Sequence, residues 1–324
     1  MGTFLYSFLH FLVDFLCAFG MLRFFTGDAD AAVNILIYNF CAFALQMPLG
    51  AAMDTFAENR PRGPAVCAAL GVALTMLGLF LHPAILGLGN AAFHVGGGID
   101  VIREDQRRNR QGRLLGIFVA PGALGLFLGG QVAGSGWVLL PVIVVCILTS
   151  LILLRLPAAE IPKPTVQRCC AFLPCLCCFL VVILRSYIGL SIVFSWKVGF
   201  PAGLVAVCAV VLGKVAGGFA AAAFGSRNTA MVTLGLASLC YLWGNVPVWG
   251  VLALFFFNMS MPLTLYQLWL RWPRFPGTVF GVLTFGLFLG FLPVALGWQI
   301  PLSGTMGSLL SLGLLMPVVW RDRR

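Results

Sequence analysis

Two residues that could carry protons lie four positions apart near the start of the chain. Asp14 and His10 stand within a run that is otherwise apolar from residue 3 to residue 25. A spacing of four places both side chains on one face of a helix. A carboxylate in an apolar span costs about 2.5–3.5 kcal/mol on insertion scales and normally faces the protein interior. A buried carboxyl group and an imidazole can share and relay a proton, so the pair predicts a proton-coupling site. A structural hydrogen-bonded pair is the alternative, and two ligands are too few to predict a metal site.

Other polar residues inside apolar segments could bind a solute. His94 precedes three glycines at 96–98, which weaken a helix and expose backbone groups; a histidine satisfied by a neighbouring helix is the alternative. Arg185 keeps its charge and needs a carboxylate, a carbonyl or an anion. Its planar fork suits a carboxylate or phosphonate substrate, and a fixed ion pair with Asp14 is the alternative. The predicted substrate-binding residues are Asn90, His94, Asp100, Arg185, Tyr187 and Asn258.

The composition of the whole chain indicates where these residues must reside. Of 324 residues, 60% are hydrophobic and only 9% are charged, and the mean hydropathy is +1.01. A soluble domain carries about 25% charged residues. This composition excludes a water-soluble enzyme, a nucleic-acid-binding protein and a disordered chain. We therefore predict a protein of the lipid bilayer.

Twelve apolar runs are long enough to be considered as membrane helices, which need about 20 residues each. The residues do not alternate between apolar and polar, so strands of a membrane barrel are not predicted. The connections at 81–83 and 244–246 are very short, which leaves ten spans as the alternative. The predicted runs are 3–25, 31–53, 64–81, 83–102, 114–132, 136–156, 170–195, 201–224, 229–244, 246–270, 277–298 and 302–320.

The basic residues predict the orientation of the chain. The net charge is +10, and most lysines and arginines fall after even-numbered spans or at the end of the chain. Because basic loops stay in the cytoplasm, both termini are predicted to be cytoplasmic, in a multi-pass protein of the cell membrane. The first run lacks a basic segment before it, so we predict a retained helix rather than a cleaved signal.

The chain reads as two similar halves. A polar, proline-containing stretch at 157–168 predicts a cytoplasmic linker between six-helix bundles at 1–156 and 169–324. Three glycines in span 5 recur in span 11 at a constant offset of 161, and both spans contain Gly-Leu-Phe-Leu-Gly. Such landmarks predict parallel repeats about an axis along the membrane normal. The glycines, read as packing or hinge positions, are Gly116, Gly125, Gly129, Gly277, Gly286 and Gly290.

These motifs resemble those of the major facilitator superfamily over the whole chain. Gly50-x3-Asp54 followed by Arg60 is similar to the superfamily's motif between spans 2 and 3. A second copy, Gly218 to Arg227, keeps glycine and arginine but has alanine in place of the acid. The resemblance implies an all-α fold of twelve transmembrane helices in two six-helix pseudo-repeats. It also implies a cytoplasmic gate formed by Gly50, Asp54, Arg60, Gly218 and Arg227, with ordinary salt bridging in the loop between Asp54 and Arg60 as the alternative.

Three patches are similar to the fosmidomycin-resistance group of exporters within that superfamily. They are His10-Phe-Leu-Val-Asp14, the segment around His94, and 184–189 in span 7. The chain departs from the group after His94, where Val95 and Gly96 replace a proline and an acid. The resemblance implies an exporter that works by alternating access.

Together these patterns predict a secondary transporter that moves a small organic solute, anionic or drug-like, by proton-coupled export. An uncoupled facilitator or importer is one alternative, and a membrane sensor or scaffold that has lost transport is another. No serine with a base and an orienting acid stands at convincing positions, so no enzyme is predicted. The expected partners are a small-molecule substrate, protons and the bilayer, with no nucleic acid, cofactor or metal, and the expected state is a monomer.

Overall fold

The computed structural model describes residues 2–27, 29–157 and 172–319. Within these ranges the regular structure is helical, in twelve long helices. In chain order α1 to α12 are Gly2–Phe25, Ala31–Phe56, Gly63–Leu81, Pro83–Arg107, Arg113–Gln131, Gly136–Arg155, Phe172–Ser191, Gly199–Phe224, Ser226–Leu242, Pro247–Arg271, Pro276–Ala295 and Gly304–Val319.

Each helix coincides with one predicted apolar run, so the twelve-helix prediction is confirmed. Ten of the helices are long and apolar enough to cross a membrane by length and composition, whereas α9 and α12 have 17 and 16 residues. Two short connections, His82 before α4 and residues 243–246 before α10, are each followed by a proline. Pro83 and Pro247 start α4 and α10 after an extended residue, because proline fits the first turn of a helix but not its interior.

The fifth helix is interrupted within the membrane-length segment. It consists of Arg113–Val119 and Pro121–Gln131, with a break at Ala120. Pro121 has no N–H and cannot continue the hydrogen-bond ladder of the first piece. The second piece begins with Pro121 and Gly122, and it packs against α1.

Contacts between residues group the described parts of the chain into two units. The first unit falls within 1–108, 121–163 and 274–285, and the second within 109–120, 164–273 and 286–324. The helices α5 and α11 are each divided between the units. The predicted linker at 157–168 lies outside the described residues except for Pro157, so the division of the chain at that linker stays a prediction.

The glycine repeat has the same structural use in both units. In the first unit Gly129 of α5 lies against the backbone of Phe15 in α1, and in the second Gly290 of α11 lies against the backbone of Ile183 in α7. A Cβ atom at either glycine would overlap the facing carbonyl group. Close helix approach therefore requires glycine at both sites. Gly125 and Gly286 accompany them, facing Phe11 and Phe179.

The other ends of α5 and α11 show a second equivalent pair of contacts. Gly277 of α11 lies against Gly50 of α2 in the first unit. Gly116 of α5 lies against the carbonyl of Lys214 in α8 in the second unit. The helices α5 and α11 thus make equivalent contacts in the two units, as parallel repeats require.

Candidate functional site

Four buried polar residues of the first unit meet between α1 and α4. His10 Nε2 is 3.2 Å from Asp14 Oδ2, and Asn90 Nδ2 donates to Asp14 Oδ1 at 2.9 Å. His94 Nε2 is 2.8 Å from His10 Nε2 and 3.9 Å from Asp14 Oδ1. The four side chains are between 1% and 7% exposed. Four of the residues predicted from sequence, two for coupling and two for substrate, therefore form one cluster.

The hydrogen bonds of the cluster assign its protons. His94 Nδ1 is 2.9 Å from the carbonyl oxygen of Asn90, and a carbonyl can only accept, so Nδ1 carries the proton. In the neutral ring, Nε2 of His94 is then an acceptor. His10 Nε2 faces this acceptor and the Asp14 carboxylate, and it donates to them. The result is a buried chain of three groups along which a proton can pass.

His94 cannot take up a second proton without a rearrangement of these hydrogen bonds. Protonation of His94 at Nε2 would place two N–H groups against each other across 2.8 Å. His10 would then have to turn its N–H fully to Asp14, or Asp14 would have to take up the proton. Protonation of His94 therefore alters the hydrogen bond that joins α1 to α4 through His10 and His94.

Gly122 lies directly against the side chains of His10 and Asp14. A Cβ atom there would overlap His10 Nε2 and Asp14 Oδ2. We expect Gly122→Ala to lower the free energy of unfolding by about 1–3 kcal/mol, the usual cost of overpacking, measured by thermal unfolding in detergent.

Gly235→Ala is the matched control for this substitution. Gly235 lies within the helix Ser226–Leu242, and nothing lies within 4 Å of the Cβ position there. Alanine is the better helix former, so the control should keep or gain stability. Equal losses in the two variants would contradict the assigned packing.

Asp100 belongs to a separate polar group in the first unit. Tyr6 donates to Asp100 Oδ2 at 2.5 Å, and the second carboxylate oxygen is buried without a hydrogen-bond partner among the described residues. Both residues line a cavity of about 500 Å³ that Arg62, Glu104 and Arg107 also border. The structure therefore does not bring Asp100 into the cluster around Asp14.

The predicted gate residues Gly50 and Asp54 meet the start of α11 in the first unit. Asp54 accepts hydrogen bonds from the backbone N–H groups of Gly277 and Thr278 and from the Thr278 hydroxyl, each at 2.7 Å. These amides belong to the first turn of α11, whose N–H groups have no partner in their own helix. Arg60 instead stacks on Phe56, 4.2 Å from the ring centre. The carboxylate thus caps a helix from the other half of the sequence.

Removing this cap should weaken the start of α11. We expect Asp54→Ala to cost about 0.5–2 kcal/mol of unfolding free energy, as for other helix caps, measured by thermal unfolding. Glu58→Ala removes an exposed acid two residues beyond α2 and should change stability by less than about 0.5 kcal/mol. If Glu58→Ala lowered the free energy of unfolding as much as Asp54→Ala does, the loss of a negative charge, rather than the loss of the helix cap, would explain the effect.

The second copy of the gate motif lies in the second unit. Gly218 of α8 packs against the backbone of Gly112 and Arg113. Arg227 lies in the first turn of α9, after Gly225 with φ of +82°. Ala222 stands where the first copy has its acid, so this copy keeps the close contact but has no carboxylate cap.

Arg185 is buried in α7 of the second unit. It is 7% exposed, and its Nη1 atom has no hydrogen-bond partner among the described residues. The sequence contains no aspartate or glutamate between Glu160 and Asp322. By contrast Arg271 in the same unit donates to the Gln267 side chain and to the carbonyl of Val318. Arg185 therefore retains a donor that an anion could satisfy.

Tyr187 and Asn258, the other predicted substrate residues of this unit, bond to backbone groups. The Tyr187 hydroxyl donates to the carbonyl of Ile300 at 2.7 Å and accepts from its N–H at 3.0 Å. Asn258 donates to the carbonyl of Leu254 in its own helix. These contacts tie α7 to the segment before α12 and keep the Asn258 amide within α10.

Sequence reasoning missed two residues of the first unit. Gly122 has no counterpart in the repeat, because Leu283 stands at the position 161 residues later. A glycine present in only one repeat is the signal that could have marked it. Tyr6 lies one helical turn before His10, so its place on the polar face of α1 could also have been read from spacing.

Comparisons with known proteins give the fold. A scan against protein-family models and a search of curated proteins found no match. Among solved structures, the Escherichia coli fucose:proton symporter FucP matches with a TM-score of 0.64 at 14% identity, covering 99% of this chain and 97% of that one. FucP in the outward conformation matches with a TM-score of 0.65 at 13% identity over the whole of both chains. The chain has the major facilitator fold. The human organic anion transporter MFSD10 also matches, with a TM-score of 0.63 at 15% identity over 98% of each chain.

Proposed function

We propose that this protein of major facilitator fold is a secondary transporter that moves a small organic anion by alternating access, coupled to protons. The observation that carries the proposal is the buried chain of Asp14, His10 and His94 in the first unit. Ionisable groups inside membrane helices are costly, and they commonly serve in proton relays or substrate paths. A cluster in which protonation of His94 breaks a hydrogen bond between α1 and α4 is suited to couple protonation to a conformational change.

Arg185 supports an anionic substrate. It is buried, it cannot lose its charge at physiological pH, and the sequence has no acidic residue between Glu160 and Asp322. A substrate carboxylate or phosphonate would satisfy its donors with charge-assisted hydrogen bonds. One protein of the same fold is named as an organic anion transporter, which agrees with this substrate class. Tyr187 and Asn258, the other predicted substrate residues of the second unit, are proposed only to shape the substrate-binding site.

The gate is proposed to lie where Gly50 and Asp54 meet Gly277. The contact depends on three hydrogen bonds to one carboxylate, which can break together when α11 moves. Gly218 with Arg227 forms the second copy without a cap. We propose that Arg60 helps to hold the first copy closed from its position on Phe56.

Export in exchange for protons is the proposed direction, following the resemblance to the fosmidomycin-resistance exporters. Symport is the second candidate, because FucP is a proton symporter of the same fold. We propose that the protein is a monomer of the cell membrane. The distribution of basic residues favours an orientation with both termini in the cytoplasm. An uncoupled facilitator and a transport-inactive sensor are the outcomes that the experiment must separate.

Proton movement in everted membrane vesicles tests the proposal. The lumen is acidified, a panel of small anions and cations including fosmidomycin is added, and a pH-sensitive dye reports proton release. Dye recovery with anions, absent from vesicles that lack the protein, would support proton-coupled antiport. Acidification of the lumen in step with the anion would instead support symport. Anion flux that is independent of the pH gradient would contradict proton coupling. A response limited to cations would contradict the proposed anionic substrate.

A further inference from the structure

The cluster around Asp14 presents three metal-ligating groups to one point. The ring nitrogens of His10 and His94 and the Asp14 carboxylate lie within 4.8 Å of one another. Ligands at about 2.0–2.1 Å from a tetrahedral ion are about 3.3 Å apart. The observed separations of 2.8, 3.2 and 3.9 Å bracket this value. Shifts of about half an ångström would therefore bring the three groups to coordination distance.

The surroundings of these groups match those of metal-binding histidines. Such a histidine usually donates its second ring N–H to a carbonyl or carboxylate, which orients the ring. His94 does so through Nδ1 to the Asn90 carbonyl, at 2.9 Å. Asn90 also orients Asp14 through its amide nitrogen. The amide oxygen of Asn90 is buried with no hydrogen-bond partner among the described residues, so an oxygen acceptor remains available beside the three ligands.

We propose that His10, Asp14 and His94 bind one divalent cation of the zinc type. Two imidazoles and one carboxylate are a donor set that suits Zn²⁺, whereas Mg²⁺ and Ca²⁺ prefer oxygen ligands alone. The metal takes the Nε2 lone pairs of two neutral rings, so the proton on His10 Nε2 moves to Nδ1 of the same ring. The ion joins α1 and α4 at the point where they meet in the proton chain.

A consequence for transport rests on the proposed function. A zinc ion in this position would occupy the path of the coupling proton and hold α1 against α4. Zinc should therefore inhibit proton-coupled flux. Binding itself is measured without transport, so protein that binds zinc but moves no anion would contradict the proposed function alone.

Zinc titration of the purified full-length chain in detergent tests the site. Calorimetry should show one zinc bound per chain at this site, with affinity at least about 100-fold lower in His94→Gln and Asp14→Asn. Asn90→Ala should weaken binding about 10- to 100-fold, the usual effect of losing an orienting partner. His82→Gln is the matched control, because His82 is exposed at the start of α4 and caps that helix instead. It should bind zinc as the unmodified chain does.

Cysteines could mimic this result and must be separated from it. Cys17 lies 3.5 Å from the Asn90 amide, and Cys175, Cys177 and Cys178 are buried in α7. X-ray absorption at the zinc edge distinguishes nitrogen and oxygen ligands at about 2.0–2.2 Å from sulfur at about 2.3 Å. Nitrogen and oxygen ligands alone would support the proposal. Sulfur ligation, binding unchanged in His94→Gln, or no zinc bound by folded protein would overturn it. Size exclusion and thermal unfolding report whether each variant is folded.

Discussion

Asp14→Asn should abolish proton-coupled flux while leaving exchange of the anion across a membrane without a pH gradient. Asparagine keeps the shape of the side chain and can accept from Asn90 Nδ2, which is 2.9 Å away, but it cannot take up a proton. Of the three groups along which a proton can pass, only His10 and His94 then remain able to carry one. We expect substrate-dependent proton release to fall at least about 100-fold, the lower end of the contribution of a positioned proton-transfer group. The pH dye in everted vesicles measures this loss.

Counterflow of labelled substrate is the second measurement for this variant. Retained counterflow with lost proton release would assign Asp14 to coupling, whereas loss of both would indicate a misfolded or immobile protein. Glu58→Gln removes an exposed acid and is expected to behave like the unmodified chain. Proton release that persists in Asp14→Asn would contradict the coupling role.

Arg185→Gln should greatly weaken binding of the anion without destabilising the protein. Removing one partner of a buried charge pair costs about 2–5 kcal/mol of binding free energy, which corresponds to about a 30- to 4000-fold increase in Kd. In the absence of substrate the guanidinium is buried with Nη1 unsatisfied by any described residue. A neutral side chain relieves that burden, so the thermal unfolding midpoint should stay the same or rise.

A loss of stability in Arg185→Gln with unchanged affinity for the anion would show that Arg185 is structural. A structural arginine would lose stability when replaced and leave substrate affinity intact. Arg185→Lys keeps the charge but not the planar fork. Its affinity for the anion should therefore fall between those of the unmodified protein and Arg185→Gln. Lys197→Gln is the control, because Lys197 is an exposed cation of the same half of the sequence. Its loss should leave the Kd within about twofold.

Much of the fold could be read from the sequence because the bilayer restricts what a chain can do. Runs of about 20 apolar residues must form helices, and the prolines at 83 and 247 mark two of the short turns between them. The glycines repeated at an offset of 161 predicted equivalent close contacts, and the structure has them at Gly129 and Gly290. Glycine in these places is a local requirement of helix approach, so it leaves a local signal.

The candidate site could be predicted only in part. The spacing of His10 and Asp14 fixes their common face on α1, and the spacing of Asn90 and His94 does the same on α4. Their meeting depends on how each helix is rotated about its axis. That rotation is set by packing along the whole of both helices, which no local pattern contains.

The sequence by itself determined the class of protein, its helices and the presence of ionisable groups inside them. The tertiary structure alone decided which groups meet. It joined His94 to His10 rather than leaving it with Asp100, and it placed the Asp54 carboxylate on the amides of α11, 223 and 224 residues away. Whether a segment is buried in the bilayer depends on that segment alone, so its composition predicts it. Contact between polar groups distant in sequence depends on the joint packing of several helices, and it is recorded only in the folded chain.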